Sequence, residues 1–514
     1  MHWRRIVETG GGIGALVTAL WTLTAAQGPA PTSRILRQPI APPAIDRGLL
    51  DDGNVTGPRH KVAHRQSRRM GSTATADYLR GRVIVKYRTN VSAAGTGRRT
   101  SASAASRPSW ADFDVVAIDP ALDPVRVASE LEASPDVEYA QPAYVVRPHH
   151  RPNDPLYDRQ WNLQEIGMEA AWDINLGATS AVTVAVLDSG LAFQDAVYEF
   201  TAVEFTDDGV RYPALGNVTV PFAAAPELSG ANRFVSPHDF IWDDDSPVDM
   251  DGHGTHVAGT IGQVTDNGVG LAGVAFNVRL MPIKVIAGDW DDIFGSPNVG
   301  TDDVVARGIR YAADNGAKII NMSIGRDGPA APVITAAMQY AVSRGAFIAV
   351  SAGNDYERGN PVEVIAEAAA PIEGAMAVAS VGRGLRRAYY SGVHDYVEIA
   401  APGGDTRSGG SAAGVYQQTF DAAFTDFFLE PPSRYGPPRF DVFAYRAFQG
   451  TSMAAPHVSG LAALLFSQGI TSPAAIEAAI KQFATDLGPT GRDDEYGYGL
   501  INPRATLRGL GLLQ

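Results

Sequence analysis

From residue 153 onward, short apolar runs alternate with stretches in which apolar residues recur every three or four positions. The run 182–187, Val-Thr-Val-Ala-Val-Leu, leads into Asp188, Ser189 and Gly190 and predicts a buried strand ending at a turn. Strands are likewise predicted at 279–286, 318–322 and 347–351. Between them, 302–315 places Val305, Ile309 and Ala312 on one helical face and stops at Gly316. The stretch 333–344 repeats Ile334, Ala337, Met338, Ala341 and Val342 at the same spacing and stops at Gly345. Helices are also predicted from His253 through Val257 and Ile261, and over 453–465. This alternation predicts an α/β fold, a parallel sheet with helices on both faces, whose functional groups gather at the C-terminal strand ends. Asp188 and Asn354 both fall just past such ends.

A smaller unit precedes it. Residues 81–87 alternate as a strand, and a Ser/Ala/Gly-rich loop leads to a second strand at 113–118. A helix is predicted over 124–133, with Pro124 in its first turn and Val125, Ala128 and Leu131 on one face. A last strand follows at 136–146. The pattern is that of a small α+β, ferredoxin-like unit of split β-α-β type over 76–148, so that 149–514 forms the larger domain. Residues 27–75 are rich in Pro, Arg, Gly and Ser without periodicity and read as a disordered linker. In 1–26, Arg4 and Arg5 precede an uncharged run holding Ile13, Leu16, Val17, Leu20 and Trp21, with Thr24, Ala25 and Ala26 as the small-residue cleavage site. That is the pattern of a signal peptide on a secreted protein, and the run is short for a spanning helix. An uncleaved anchor is the alternative, and with it a membrane location.

Composition narrows the chemistry. With 45% hydrophobic and 19% charged residues, the 514-residue chain is an ordinary globular protein. It has no cysteine, which excludes disulfides, thiol nucleophiles and thiolate metal sites. A net charge of −14 argues against nucleic acid as a partner.

Two short motifs carry reactive groups: Asp251-Gly252-His253-Gly254-Thr255-His256, and Gly450-Thr451-Ser452-Met453-Ala454-Ala455-Pro456. A serine hydroxyl is a poor nucleophile unless an imidazole takes its proton and a carboxylate holds that imidazole in one tautomer. Asp188, His253 and Ser452 offer these three groups in that chain order. Ser452 opens a helix, whose N-terminus favours developing negative charge. An ester hydrolase of the α/β-hydrolase type would need Gly-x-Ser-x-Gly and a histidine after the serine, and both are missing.

With Ser351-Ala352-Gly353-Asn354 and the closing 496–502, these motifs make the region 153–507 resemble the subtilisin-like serine proteases. The resemblance implies a serine endopeptidase needing no cofactor, with Ser452 as nucleophile, His253 as general base, Asp188 as orienting carboxylate and Asn354 in the oxyanion hole. It further implies that Ser323, Ile324 and Gly325 pair with an extended peptide substrate and that Gly353 lines the specificity pocket. Glu367-Ala368-Ala369-Ala370-Pro371 departs from the family pattern where the pocket floor is expected. The unit at 76–148 resembles the family's inhibitory propeptides, which implies a zymogen that cleaves itself between about Pro148 and Asp154. A catalytically silent, peptide-binding relative is the competing reading, against which the complete set of catalytic residues stands.

Weaker signals remain. The stretch 265–270 resembles a calcium loop, with Asp154, Asp266 and Asn267 as ligands, and reads equally as a plain Asn-Gly turn. His256 and His457 read as hydrogen-bonded packing residues. The acidic run Asp243, Asp244, Asp245, Asp249 and Asp251 reads as a solvated loop. Two insertions, 190–251 and 404–446, the second with Phe424, Phe427, Phe428, Tyr435 and Phe440, read as packed surface elaborations in preference to substrate gates.

Overall fold

The computed structural model describes residues 78–88, 102–145, 150–207, 210–230, 232–426 and 435–511. The leader at 1–26, the linker at 27–75, and Phe427 and Phe428 lie outside the described residues. The chain divides into two compact units, with the division between Pro148 and His149.

The smaller unit is a four-stranded antiparallel sheet in the order Ala102–Ser106, Asp114–Ile118, Tyr78–Tyr87, Val137–Tyr144. Asp114–Ile118 and Val137–Tyr144 flank Tyr78–Tyr87, and helix Pro124–Glu132 joins them, which is the split β-α-β arrangement. Asp123 caps this helix by accepting from Val125 N at 3.1 Å. The cap sets the face, and the buried stripe is Pro124, Val127, Ala128 and Leu131. Val125, expected inward, is exposed because it stands one position off that stripe. The stripe packs with Val83, Val85, Val116 and Ile118 of the sheet. Each fully buried aliphatic side chain contributes about 1.5–3 kcal/mol. Ala102–Ser106 is a strand where a loop was expected: its ladder to Asp114–Ile118 needs only backbone groups, and small side chains leave no alternation to read.

The larger unit is built on a seven-stranded parallel sheet. Its order is His238–Asp239, Arg279–Lys284, Thr183–Asp188, Ile319–Met322, Phe347–Ser351, Ala375–Val381, Val397–Pro402. Thr183–Asp188, Ile319–Met322, Phe347–Ser351 and Ala375–Val381 are buried at every position, so both sheet faces are covered. Helices Asp302–Asp314 and Pro332–Ser343 pack on each other and on the sheet, as do His253–Gly262 and Thr451–Ser467. The chain leaves Thr183–Asp188 toward Arg279–Lys284 on one side and later returns on its other side with Ile319–Met322. Asp188 therefore ends the strand at which the order reverses, the place where open parallel sheets form clefts.

Both insertions fold as antiparallel hairpins, Ala196–Ala202 with Gly216–Phe222 and Val415–Phe420 with Phe443–Phe448. They pack on one another. The Phe222 ring stacks on Phe440 at 5.0 Å, and Tyr435 sits between Phe205, Tyr212 and Trp290. The second hairpin also braces the helix that begins at His253: Thr419 Oγ1 donates to the Gly252 carbonyl at 2.6 Å.

Candidate active site

Asp188 is fully buried, and its Oδ1 accepts from Ser189 N at 2.8 Å and lies 2.7 Å from His253 Nδ1. The carboxylate fixes the tautomer: Nδ1 carries the proton that it donates to Asp188, which leaves Nε2 as the basic nitrogen. The approach depends on Gly254, where a Cβ would overlap the Gly190 carbonyl and stand 3.1 Å from the Asp188 Cβ. Burial opposes protonation of His253. The charge and hydrogen bond of Asp188, with Asp251 and Asp249 beyond, outweigh it and push the imidazole up to about 9.

Asp249 was expected in a solvated loop and is instead wholly buried. Its Oδ1 accepts from Ser189 Oγ at 3.0 Å, Asp251 N at 2.9 Å and Gly252 N at 2.8 Å; its Oδ2 accepts from Thr255 N at 3.0 Å and Thr255 Oγ1 at 2.6 Å. One carboxylate thus shapes the turn that delivers His253. Burial pushes its carboxyl up to about 6, against the pull of those donors.

Ser452 stands in the first turn of helix Thr451–Ser467, where backbone N–H groups lack helical partners. Its Oγ donates to the Ser323 carbonyl at 3.1 Å, and its own carbonyl accepts from Ser323 Oγ at 2.7 Å. Asn354 follows the strand Phe347–Ser351, and its Oδ1 accepts from Thr451 N at 2.8 Å and Thr451 Oγ1 at 3.0 Å. A backbone N–H only donates, so the amide oxygen must face Thr451 and Nδ2 faces away from it. Thr451, which the sequence reading passed over, is what orients Asn354.

Four residues were expected to bind substrate. Gly325 and Gly353 line a cavity of about 240 Å³ that also borders Asn354. Ser323 is turned to Ser452, and the Ile324 side chain is buried. The floor is not formed by 367–371. Glu367 belongs to helix Val364–Ala369, with Ala368 and Ala369 buried in the core, and Glu363 lines the cavity in its place. Glu363 is a lone carboxylate inside the apolar run 361–366, and that isolation was the available signal.

His256 and His457 are buried and hydrogen-bonded. His256 Nε2 donates to the Val415 carbonyl at 3.0 Å and the ring stacks on Phe448. His457 Nδ1 donates to the Met453 carbonyl at 2.8 Å and Nε2 accepts from Asn162 Nδ2 at 2.8 Å. Burial pushes the two imidazoles down, to about 3 and about 4, so both stay neutral.

Asp154, Asp266 and Asn267 come together, but their oxygens face N–H donors. Asp154 accepts from Asp266 N at 2.9 Å and Asn267 N at 3.3 Å, Asp266 Oδ1 accepts from Asn153 N at 3.2 Å, and Asn267 Oδ1 accepts from Val269 N at 2.7 Å. A calcium cage needs six to eight oxygens aimed at one point. Among the described residues no group of three or more His, Cys, Asp or Glu side chains is placed to hold a metal ion. As placed, these side chains do not form a calcium cage: the carboxylates close the turn themselves, as the plain-turn reading of this stretch has it. A chelator is expected to leave the melting temperature within about 1 °C in a thermal scan; a clear fall would restore this loop as an ion site.

Residues 179–499 match the model of the subtilase family, and residues 65–143 match that of the fervidolysin N-terminal prodomain. The chain is 31% identical to a thermophilic serine proteinase of Bacillus sp. (strain AK1), over 82% of this chain and 86% of that one. It is also 31% identical to thermitase of Thermoactinomyces vulgaris, over 66% of this chain and 94% of that one. A solved protease structure from Pseudoalteromonas arctica superposes with a TM-score of 0.52 at 27% identity, covering 70% of this chain and 99% of that one. A seven-stranded parallel sheet flanked by helices, the two family matches and these relatives agree: the chain belongs to the subtilase family of serine proteases and carries a prodomain of the fervidolysin type.

Proposed function

We propose that this protein is a secreted endopeptidase made as a zymogen, in which Ser452, His253 and Asp188 carry acyl transfer and Asn354 stabilises the oxyanion. The observation that most supports it is the 2.7 Å contact between buried Asp188 and His253 Nδ1, which leaves Nε2 as an oriented base. In the first step the Ser452 hydroxyl leaves the Ser323 carbonyl and gives its proton to His253 Nε2 as Oγ attacks the substrate carbonyl. The developing oxyanion takes hydrogen bonds from Asn354 Nδ2 and the Ser452 N–H, donors already fixed before reaction; such preset donors are each worth about 10²–10³-fold in rate. His253 then protonates the leaving amine, and water repeats the sequence to free the acid and Ser452. No step calls for a cofactor.

Two further parts follow from the prodomain match. The unit at 76–148 acts as an intramolecular inhibitor, and cleavage between about Pro148 and Asp154 releases the mature enzyme. Export rests on the leader pattern at 1–26. Substrate enters as an extended strand along 323–325. A serine-directed phosphonate tests the chemistry: the mature protein is expected to be labelled stoichiometrically, and a Ser452→Ala variant not at all. Equal labelling of both, or of neither, would favour the silent, peptide-binding reading.

A further inference from the structure

Beside Asn354, the cavity of about 240 Å³ is lined by Gly325, Asp327, Gly353, Arg358 and Glu363, among other polar and small residues. That volume is roughly eight waters' share of liquid, room for one long side chain. Ligand pockets are usually lined by hydrophobic and aromatic side chains. Here no aromatic or branched aliphatic side chain is among the lining residues.

Its charges do not balance. Arg326 gives its guanidinium to Asp302, a residue outside the cavity, with Nε to Oδ1 at 2.8 Å and Nη2 to Oδ2 at 2.5 Å. Arg358 pairs with Asp355 at 3.0 Å. Both cations lining the cavity are thereby engaged, and Asp327 and Glu363 are left without an ion-pair partner among the described residues. These two acids oppose each other across an isolated antiparallel bridge, closed by Gly328 N to Val362 O at 2.8 Å and Val364 N to Arg326 O at 3.0 Å. Like charges directly opposite are unfavourable unless a counter-charge sits between them.

Glu363 is 5% exposed and held to the floor. Oε1 accepts from Arg326 N at 2.9 Å and Oε2 from Ala366 N at 2.6 Å. The carboxyl lies flat on Gly325, where any Cβ would overlap it, and its own Cβ is 3.3 Å from the place a Cβ would take at Gly353. An ionised carboxylate offers about four acceptor positions; with the Ile365 N–H also directed at it, three are taken and one stays open. Burial, with Asp327 adding to it, pushes this carboxyl up to about 8 despite its backbone donors. The floor acid thus has no ion-pair partner among the described residues.

We propose that this cavity selects lysine or arginine as the residue whose carbonyl Ser452 attacks, with Glu363 at its floor and Asp327 at its rim as the recognising carboxylates. The inference rests on the catalytic reading above. An ammonium or guanidinium entering between the walls formed by Gly325 and Gly353 meets the open acceptor position of Glu363 and relieves its repulsion with Asp327.

The test uses the mature enzyme and a set of peptide amides that differ only in that residue: Arg, Lys, Leu, Phe and Glu. Arg and Lys are expected to exceed Leu in kcat/KM by about tenfold or more, with Glu poorest. In Glu363→Gln the Arg-to-Leu ratio is expected to fall about tenfold. Asp327→Asn, at an exposed position where folding is not at stake, should lower the same ratio by a smaller factor. Brisk hydrolysis with Leu or Phe preferred, or ratios unmoved in both variants, overturns the inference and leaves the catalytic assignment standing. Hydrolysis of none of the set, with no phosphonate labelling, overturns the catalytic assignment and this inference with it.

Discussion

Ser452→Ala is expected to lower turnover by about 10⁶-fold, the scale on which a triad acts as one unit. The methyl group offers neither an attacking oxygen nor a proton for His253 to take. Removing the hydroxyl also ends the 3.1 Å contact with the Ser323 carbonyl. The reciprocal bond from Ser323 Oγ to the Ser452 carbonyl uses the backbone and is retained, so the helix start stays in place. The fold should therefore survive and the effect should be chemical. In purified precursor the variant is expected to stay one chain through 148–154, whereas wild type separates into prodomain and mature enzyme. Intact-mass measurement over time distinguishes the two. If the alanine variant processes itself at the wild-type rate, Ser452 is not the nucleophile.

Legibility in the sequence followed the kind of interaction each residue makes. Strands buried on both faces write themselves as apolar runs, so 182–187, 318–322 and 347–351 could be located closely. Helices Asp302–Asp314 and Pro332–Ser343 were legible because one face must be apolar and glycines stop them. Val125 and Val127 show the limit. Two valines two positions apart satisfy a rough helical pattern equally, and the Asp123 cap decides which turns inward. Ala102–Ser106 was missed because its stabilisation is a backbone ladder, which small side chains do not record.

In the candidate site, the residues proposed to do chemistry stood out in the sequence and the groups that hold them did not. Asp188, His253, Ser452 and Asn354 stand in distinctive motifs. Thr451 orients Asn354 through a backbone N–H, an interaction any residue type could make. Asp249 looked like one of several solvated acids, since nothing along the chain distinguishes a carboxylate that gathers five hydrogen bonds in a buried turn. Asp154 is the opposite case: its residue type suits a metal, and only coordinates show its oxygens accepting from Asp266 N and Asn267 N. The cavity floor was misplaced for a related reason. Helix Val364–Ala369 turns Ala368 and Ala369 toward the core and ties Glu367 to Ala330 N, while Glu363 lines the cavity in their place, and helix register is a three-dimensional property.

Asp188→Asn is expected to lower kcat by about 10⁴-fold with little change in KM. An asparagine keeps the size of the side chain while losing its charge. Its NH₂ can donate toward His253 Nδ1, which would move the imidazole proton to Nε2 and leave that nitrogen no lone pair with which to take the serine proton. A second consequence follows from charge. In the wild type, burial opposes protonation of His253 and the neighbouring carboxylates, Asp188 foremost, reverse that and push it up to about 9. Only the neutral imidazole accepts the serine proton, so wild-type kcat/KM should climb about tenfold per pH unit below that value and level off above it. With Asp188 neutralised, burial regains weight, the imidazole loses its proton more readily, and the residual activity should level off at lower pH. The sign is set by the carboxylate: a negative neighbour favours the charged imidazole, so its removal moves the limb toward acid. Rate profiles on one peptide amide between pH 5 and pH 10 would check both effects. A variant of unchanged kcat, or one whose limb stays at the wild-type pH, would remove Asp188 from the assignment and leave its 2.7 Å contact with His253 a structural one.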